Sequence, residues 1–278
     1  MFGSNREIKA GDGSTNIQGQ TVHVNNNGLS YTDVKEVAND VFERNFYKLG
    51  EEAAELAQKR AEDLVNNYLE KLNIETPNSI NNTNDPDIQY AIYNAQKAHA
   101  RLGDEEISRL LVKVLVDRTK SVDNSLLNIV LNETIEIIPK LTTKQIDTLT
   151  FLFLVEDLIL INDLPGYLDL VKKFTPDYQQ DLKFYRHLQY TGCLSISVGE
   201  KNIYKIIELK YSGLLANQDV KSIINGMDND FEKVDLYWNT SRAKHSSLTS
   251  VGVAIGYANL FNKTGFQLEG DLSIFINE

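Results

Sequence analysis

The feature that most constrains this chain is an apolar stripe that runs without a proline from Ser30 to Leu72. Val34, Ala38, Phe42, Phe46, Leu49, Ala53, Ala57, Ala61, Leu64, Tyr68 and Leu72 recur every three or four residues. Val37, Val41, Leu56, Val65 and Leu69 widen the stripe on one side. As one helix this stretch would be roughly 60 Å long at 1.5 Å per residue. Ser30 is placed to cap its start, and Asp33, three positions on, completes a capping box. Gly50 is the one interruption, at about 1 kcal/mol in a helix interior. The stripe advances about 3.8 residues per step, above the 3.5 of a left-handed coiled coil, which predicts a nearly straight packing. Its central alanines let another helix approach closely. A rod this long exceeds what one small domain needs, so the pattern predicts self-association through Phe42, Phe46, Leu49, Ala53, Ala57 and Leu64.

Ahead of the rod, residues 1–29 have the Gly, Asn, Gln, Ser and Thr content of an unstructured tail. Within them Asn16 to Asn25 alternates well enough, at Val22 and Val24, to predict a short strand. A lone strand before a helix has no partner in its own chain. Pairing between copies, with stacked Asn and Gln side chains, is the expectation, carried by Ile17, Gln18, Val22 and Val24.

Beyond the rod, residues 73–87 hold Pro77, Pro86 and several asparagines and read as a linker. Helical spacing resumes at Ile88 and stops near Gly103. Asp104 caps the next helix, Ser121 or Asp123 starts another that Pro139 ends, and Thr142 or Thr143 caps a fourth over Gln145–Ile161. That fourth segment is apolar nearly all round, which predicts a central position. Pro165-Gly166 breaks the chain before short helices over 167–174 and 178–190. After Gly192 the character changes. Residues 193–198 alternate as a strand, 203–211 fit strand or helix, 219–227 are weakly helical, and 228–247 are polar with Trp238 as the one large anchor. A helix over Val251–Phe261 follows, and Leu272, Ile274 and Ile276 alternate as a final strand. The fold class is mainly α: a β-strand segment (1–29), one long helix (30–73), a helical domain (87–175) and a small α+β part (176–278).

The charge balance narrows the function. With 39 acidic against 28 basic residues the net charge is −11, which argues against binding to nucleic acid or to anionic membranes. Cys193 is the only cysteine, so no disulfide forms within the chain and a reducing cytoplasm fits. No stretch is apolar and long enough to span a bilayer. His23, His99, His187 and His245 are scattered and show no metal-ligand spacing, so no metal and no cofactor is expected. Gly11-Asp12-Gly13-Ser14 precedes no helix and makes no phosphate cradle. Gly252 to Gly256 is a small-residue helix face suited to packing. His187 near Cys193 offers a conceivable Cys/His pair, and Asn94 with His99 has a nuclease-like spacing without the arginine. The carboxylates Glu51, Glu52, Glu55, Glu62 and Asp63 alternate with Lys59, Arg60 and Lys71 as a solvated face.

Residues 185–196 look like a recognition-type helix running into the wing strand of a winged-helix fold, and Leu248-Thr249-Ser250-Val251-Gly252 resembles the step by which a second wing strand enters a closing helix. Taken with Gly11–Gln18 (GDGSTNIQ), the run Val41, Phe42, Asn45, Phe46, Leu49, the run Ala57, Arg60, Ala61, Glu62, and the closing Leu248–Asn259 and Leu272–Ile276, the chain resembles a bacterial cytoplasmic family of unknown function. The LTxxG ending is also similar to that of alpha-type abortive-infection proteins, which implies a role in phage defence. The resemblance supplies no catalytic residues.

These readings converge on a non-enzymatic, self-assembling cytoplasmic protein, a homo-oligomer with a possible protein partner, with no membrane and no nucleic-acid partner. Two alternatives stand beside it. A nucleic-acid-binding winged-helix regulator would need a basic face of Lys183, Arg186, Lys201, Lys205 and Lys210. A cryptic hydrolase or nuclease would need a polar pocket around His187, Asp181 or Glu208.

Overall fold

Ser30 does cap the first helix: its Oγ accepts from the Asp33 backbone N–H at 3.2 Å, and Asp33 Oδ2 accepts from the Ser30 N–H at 2.8 Å. In this computed structural model, which describes residues 30–45, 50–121, 126–160, 163–177, 181–215, 218–227, 230–266 and 272–276, helix α1 (Tyr31–Asn45) then ends well before Leu72. Helix α2 (Glu51–Glu75) starts afresh after Gly50, whose backbone is extended. The two lie antiparallel. Gln58 on α2 donates to Glu43 on α1 at 2.9 Å, and Tyr31 donates to Asn66 at 3.5 Å. The single rod is therefore corrected to a hairpin. Its physical reason is burial: folding back puts Phe42 into a small cluster with Ala57, Ala61 and Ala100, whereas a straight rod would leave it in water.

A 3-10 segment (Pro77–Asn84) replaces the expected linker, and α3 (Pro86–Leu102) follows with Asp85 accepting from two first-turn N–H groups. It ends where Gly103 takes φ 64°, the left-handed conformation a helix C-terminus favours. Asp104 caps α4 (Glu105–Lys120) as expected. Helix α5 (Leu126–Ile137) and a 3-10 turn (Ile138–Lys140) lead to α6 (Thr143–Glu156), which opens with a full capping box between Thr142 and Gln145. Pro165 does not break the chain; it lies in the first turn of α7 (Leu164–Phe174), where a missing N–H costs nothing, and Asp163 caps Gly166. Asp123 and residues 178–180 lie outside the described residues.

Helix α8 (Leu182–Tyr190) runs into strand β1 (Leu194–Ile196). Four helices come next: α9 (Ile203–Lys210), α10 (Ser212–Leu215), α11 (Val220–Met227) and α12 (Phe231–Thr240). Strand β2 (Ser246–Leu248) then pairs antiparallel with β1, Leu194 opposite Leu248 and Ile196 opposite Ser246. The strand expected over 193–198 is thus observed over Leu194–Ile196, and its partner lies at the step likened to a second wing strand. Four helices join them, however, in place of the short loop of a wing. Thr249 caps α13 (Ser250–Thr264), and the expected final strand is instead the helical turn α14 (Ser273–Ile276). There Leu272 and Ile276 are buried while Ile274 is 59% exposed, the four-residue spacing of a helix rather than the alternation of a strand.

One apolar core runs from Val34 on α1 to Ile276 on α14. Its centre is α6, with Phe151, Leu152, Phe153, Leu154 and Val155 all fully buried, and α13 lies along it in the most extensive helix contact of the molecule. The central position read from α6's all-round apolarity is observed. On the other side, α2, α3, α4 and α5 pack in series. Tyr68 of α2 donates to Thr119 Oγ1 of α4 at 2.7 Å, since that hydroxyl already donates to Leu115 O. Tyr68→Phe is expected to cost about 1 kcal/mol in urea unfolding, the worth of one buried hydrogen bond.

Candidate functional site

Of the residues expected to mediate assembly, Ile17, Gln18, Val22, Val24, Phe46 and Leu49 lie outside the described residues. Phe42, Ala57 and Leu64 are buried against their own chain, at 4%, 4% and 0% exposure. Ala53 is exposed. The stripe that made self-association attractive is thus largely covered from within: Leu64, Val65, Leu69 and Leu72 pack into the central core. Apolar spacing reports that a face is covered and is silent about which chain covers it.

The basic face required of a nucleic-acid binder is not assembled. Lys201 is held by Glu156 at 2.5 Å, by Ser247 Oγ at 2.8 Å and by the Ser246 carbonyl. Lys205 pairs with Glu208 at 2.8 Å. Lys210 donates to the carbonyls of Leu154 and Leu158, at 3.1 and 2.7 Å, beside the end of α6. Lys183 and Arg186 remain exposed on α8.

The hydrolase residues are equally dispersed. His187 Nδ1 meets the Gln145 amide at 2.9 Å, and Asp181 is the cap of α8. Cys193 is buried, its thiol pushed up by desolvation, with Thr191 Oγ1 at 3.4 Å in place of the histidine. Asn94 and His99 point apart: Asn94 reaches Glu136 across to α5, and His99, its pKa lowered by burial, feels Glu105 and Arg60. Five residues on a helix turn through about 500°, so these two never share a face. Among the described residues no group of His, Cys, Asp and Glu could hold a metal ion.

A cluster of ionisable groups closes the C-terminal end of α6. Glu156 and Asp157 are both raised by burial, while Lys210 is pushed down to about 7 by the same desolvation. Its ammonium lies 5.3 Å from the Tyr167 ring centre. Perturbed groups often mark reactive sites, but here the partners are the end of α6, β2 and each other. The cluster ties α6 to β2 and α9.

Two of the outward-facing cavities among the described residues are lined by several charged side chains. One, of about 540 Å³, lies between α2, α4 and the last turn of α13, where Lys71 and Arg109 share the wall with Glu105. Lys71 and Lys113 there lie over the Phe261 ring, at 5.0 and 4.4 Å, and Lys113 is paired with Asp117 at 2.7 Å. The other, of about 380 Å³, lies between α3, α5 and the 3-10 turn that follows. Its walls carry Tyr90, Asn94, Lys97 and Arg101 from α3, Glu136 from α5, and Lys140. The spacing of the four α3 residues could be read from the sequence; that Lys140 joins them depends on the packing of α5 against α3.

No described helix is long and apolar enough to cross a membrane. A family model matches residues 28–219 and, again, residues 201–276; the family's function is unknown. No curated protein and no solved structure matches the chain.

Proposed function

The chain belongs to the family whose model it matches, a family of unknown function, and from its own geometry we propose that it is a non-enzymatic protein that self-assembles by exchanging α1 between copies. The observation that carries this reading is the seat of α1. Among the described side chains of that helix only Val34, Ala38 and Phe42 are fully covered. Between α1 and α3 lies a narrow cleft walled by Val34, Val37, Ala38, Val41 and Ile92, and Gln96 lines it. Gln96 is fully buried, with neither its amide nitrogen nor its oxygen partnered. An unpaired buried amide costs about 1–3 kcal/mol. Release of α1 rehydrates Gln96 and so recovers part of what the release loses.

The connection between α1 and α2 supplies the second half of the reading. Helical periodicity continues through it, and Gly50 alone opposes a straight helix. If α1 swings out into line with α2, it reaches the α2/α3 seat of a second copy and remakes the same contacts there, as in domain exchange.

Light scattering across a concentration series tests this. The expected mass exceeds the 31.4 kDa of one chain. Gly50 has φ −62°, the value a proline ring imposes, and no atom within 4 Å of an added Cβ, so an alanine is accommodated and the backbone already matches proline. Gly50→Ala favours the straight helix and raises the assembled fraction; Gly50→Pro forbids it and lowers that fraction. A chain lacking residues 1–29 separates the contribution of that segment from that of α1. A mass of one chain at every concentration, unchanged by either substitution, overturns the reading.

A further inference from the structure

We propose that the cavity between α3 and α5 is a binding site for a nucleoside polyphosphate, with Lys97, Arg101 and Lys140 holding the phosphates and the Tyr90 ring taking the base.

The first argument is charge that lacks a partner. In an acidic chain, cations find carboxylates readily: Lys113 has Asp117, Arg118 has Asp87, Lys120 has Glu75, Lys201 has Glu156, Lys263 has Asp147. Cations without a carboxylate occur elsewhere too, as at Lys183 and Arg186 on α8, but in this cavity three of them line one space. Arg101 and Lys140 have no ion pair or hydrogen bond among the described residues. Lys97 donates only to a neutral amide oxygen, that of Asn94 at 3.3 Å, with its ammonium 5.5 Å from the Tyr93 ring centre. The one carboxylate present, Glu136, accepts from Asn94 at 3.4 Å and pairs with none of the three cations. Three positive groups thus converge on one cavity within a protein of net charge −11. The negative end of the α3 dipole accounts for cations in its last turn. It does not account for Lys140, which arrives from a different element and faces the same space.

The second argument is layout. Tyr90, Asn94, Lys97 and Arg101 sit at i, i+4, i+7 and i+11, one face of α3. From Tyr90 to Arg101 that face is about 16 Å long at 1.5 Å per residue. The aromatic ring is 58% exposed at one end, and the guanidinium is at the other. A base stacked on the ring with its phosphate chain running toward Arg101 and Lys140 matches this polarity, and Arg offers phosphate a bidentate fork. The cavity volume of about 380 Å³ is within the range of small-molecule sites. The site is independent of α1 exchange, because no α1 residue lines it.

Calorimetric titration of the full chain with ATP, with inorganic tripolyphosphate and with adenosine tests the assignment. ATP is expected to bind in the micromolar range, more weakly as salt is raised. The double variant Arg101→Gln with Lys140→Gln should lose at least about tenfold in affinity, equivalent to about 1.4 kcal/mol. Tyr90→Ala should weaken ATP and leave tripolyphosphate unchanged. These side chains are exposed, so an unchanged melting temperature verifies that the variants fold. The proposal is overturned if ATP shows no heat of binding at millimolar concentration, or if the double variant binds it as the parent does. Tripolyphosphate binding as tightly as ATP, with Tyr90→Ala without effect, overturns the nucleoside half and leaves an anion site.

Discussion

Gly252→Ala should destabilise the protein by about 3 kcal/mol, near the upper end of what overpacking usually costs. Thr249 caps α13 by accepting from the Gly252 N–H at 3.3 Å, and the Thr249 N–H in turn donates to Cys193 O at 3.1 Å. A methyl group on Gly252 would collide with that same Cys193 carbonyl, a backbone atom fixed by the β1–β2 pairing. Gly256, one turn on, is seated as closely: an added Cβ would stand 2.7 Å from Phe153 Cβ and 2.9 Å from Leu149 O on α6. Relief at Gly252 requires the start of α13 to move off the Cys193 carbonyl and so to break the Thr249 hydrogen bond to it, and relief at Gly256 requires α13 to lift off α6, the contact on which the core is built. The gain in helix propensity, about 1 kcal/mol for glycine to alanine, offsets only part of this. Gly226→Ala in α11 is the control, since an added Cβ there meets nothing within 4 Å and should be neutral or mildly stabilising. Urea midpoints of the three proteins decide it; a Gly252→Ala protein within 1 kcal/mol of the parent would mean that α13 is not seated this closely.

Stability should also rise as the pH is raised from 7 toward 9.5, against the common expectation of a plateau. Lys210 has a folded pKa of about 7 against an ordinary value of 10.5, because burial disfavours its charged form more than Asp157 and Glu156 favour it. Between those two values the unfolded chain carries a proton on Lys210 that the folded chain lacks. Raising the pH removes that difference, and the folded state gains on the order of 3 kcal/mol over the whole interval. Lys71, also lowered by burial, acts in the same direction. The Cys193 thiol, raised by burial, opposes this gain from about pH 9, and above about pH 10 the effect reverses, because burial raises Tyr68 and Tyr167 and only the unfolded phenols ionise. Lys210→Met should flatten the slope below that point while leaving the Leu154 and Leu158 carbonyls without their donor. Unfolding free energies measured across this range test the argument, and an identical slope in parent and variant would refute it.

Most local decisions could be read from the chain. The caps at Ser30 and Asp104 are formed by the residues whose type and spacing called for them, and of the two threonines offered for α6 it is Thr142 that caps. The all-round apolarity of α6 gave its central position, and the glycines of α13 gave its close packing. What could not be read is which surface covers which. The stripe from Val34 to Leu72 fits a straight rod beside a second copy and a hairpin beside α3 equally well, because both satisfy the same period. The Leu272–Ile276 run fits strand and helix for the same reason, five residues being too few to separate the two periods. The cationic cavity was half visible, in the one-sided spacing of Tyr90, Asn94, Lys97 and Arg101; its fourth wall comes from residues some forty positions later, and no periodicity reports that.

The seating of α13 on α6 also dictates when this protein can become itself. During synthesis α6 emerges about a hundred residues before its cover does, and residues arrive at roughly 5–20 per second. For that interval a helix apolar nearly all round lacks its most extensive partner. Closing so wide a gap in sequence is slow compared with pairing neighbours. Maturation is therefore gated by the last stretch of chain, and a ribosome stalled before Ser250 would release a sticky, chaperone-dependent species rather than a smaller working protein.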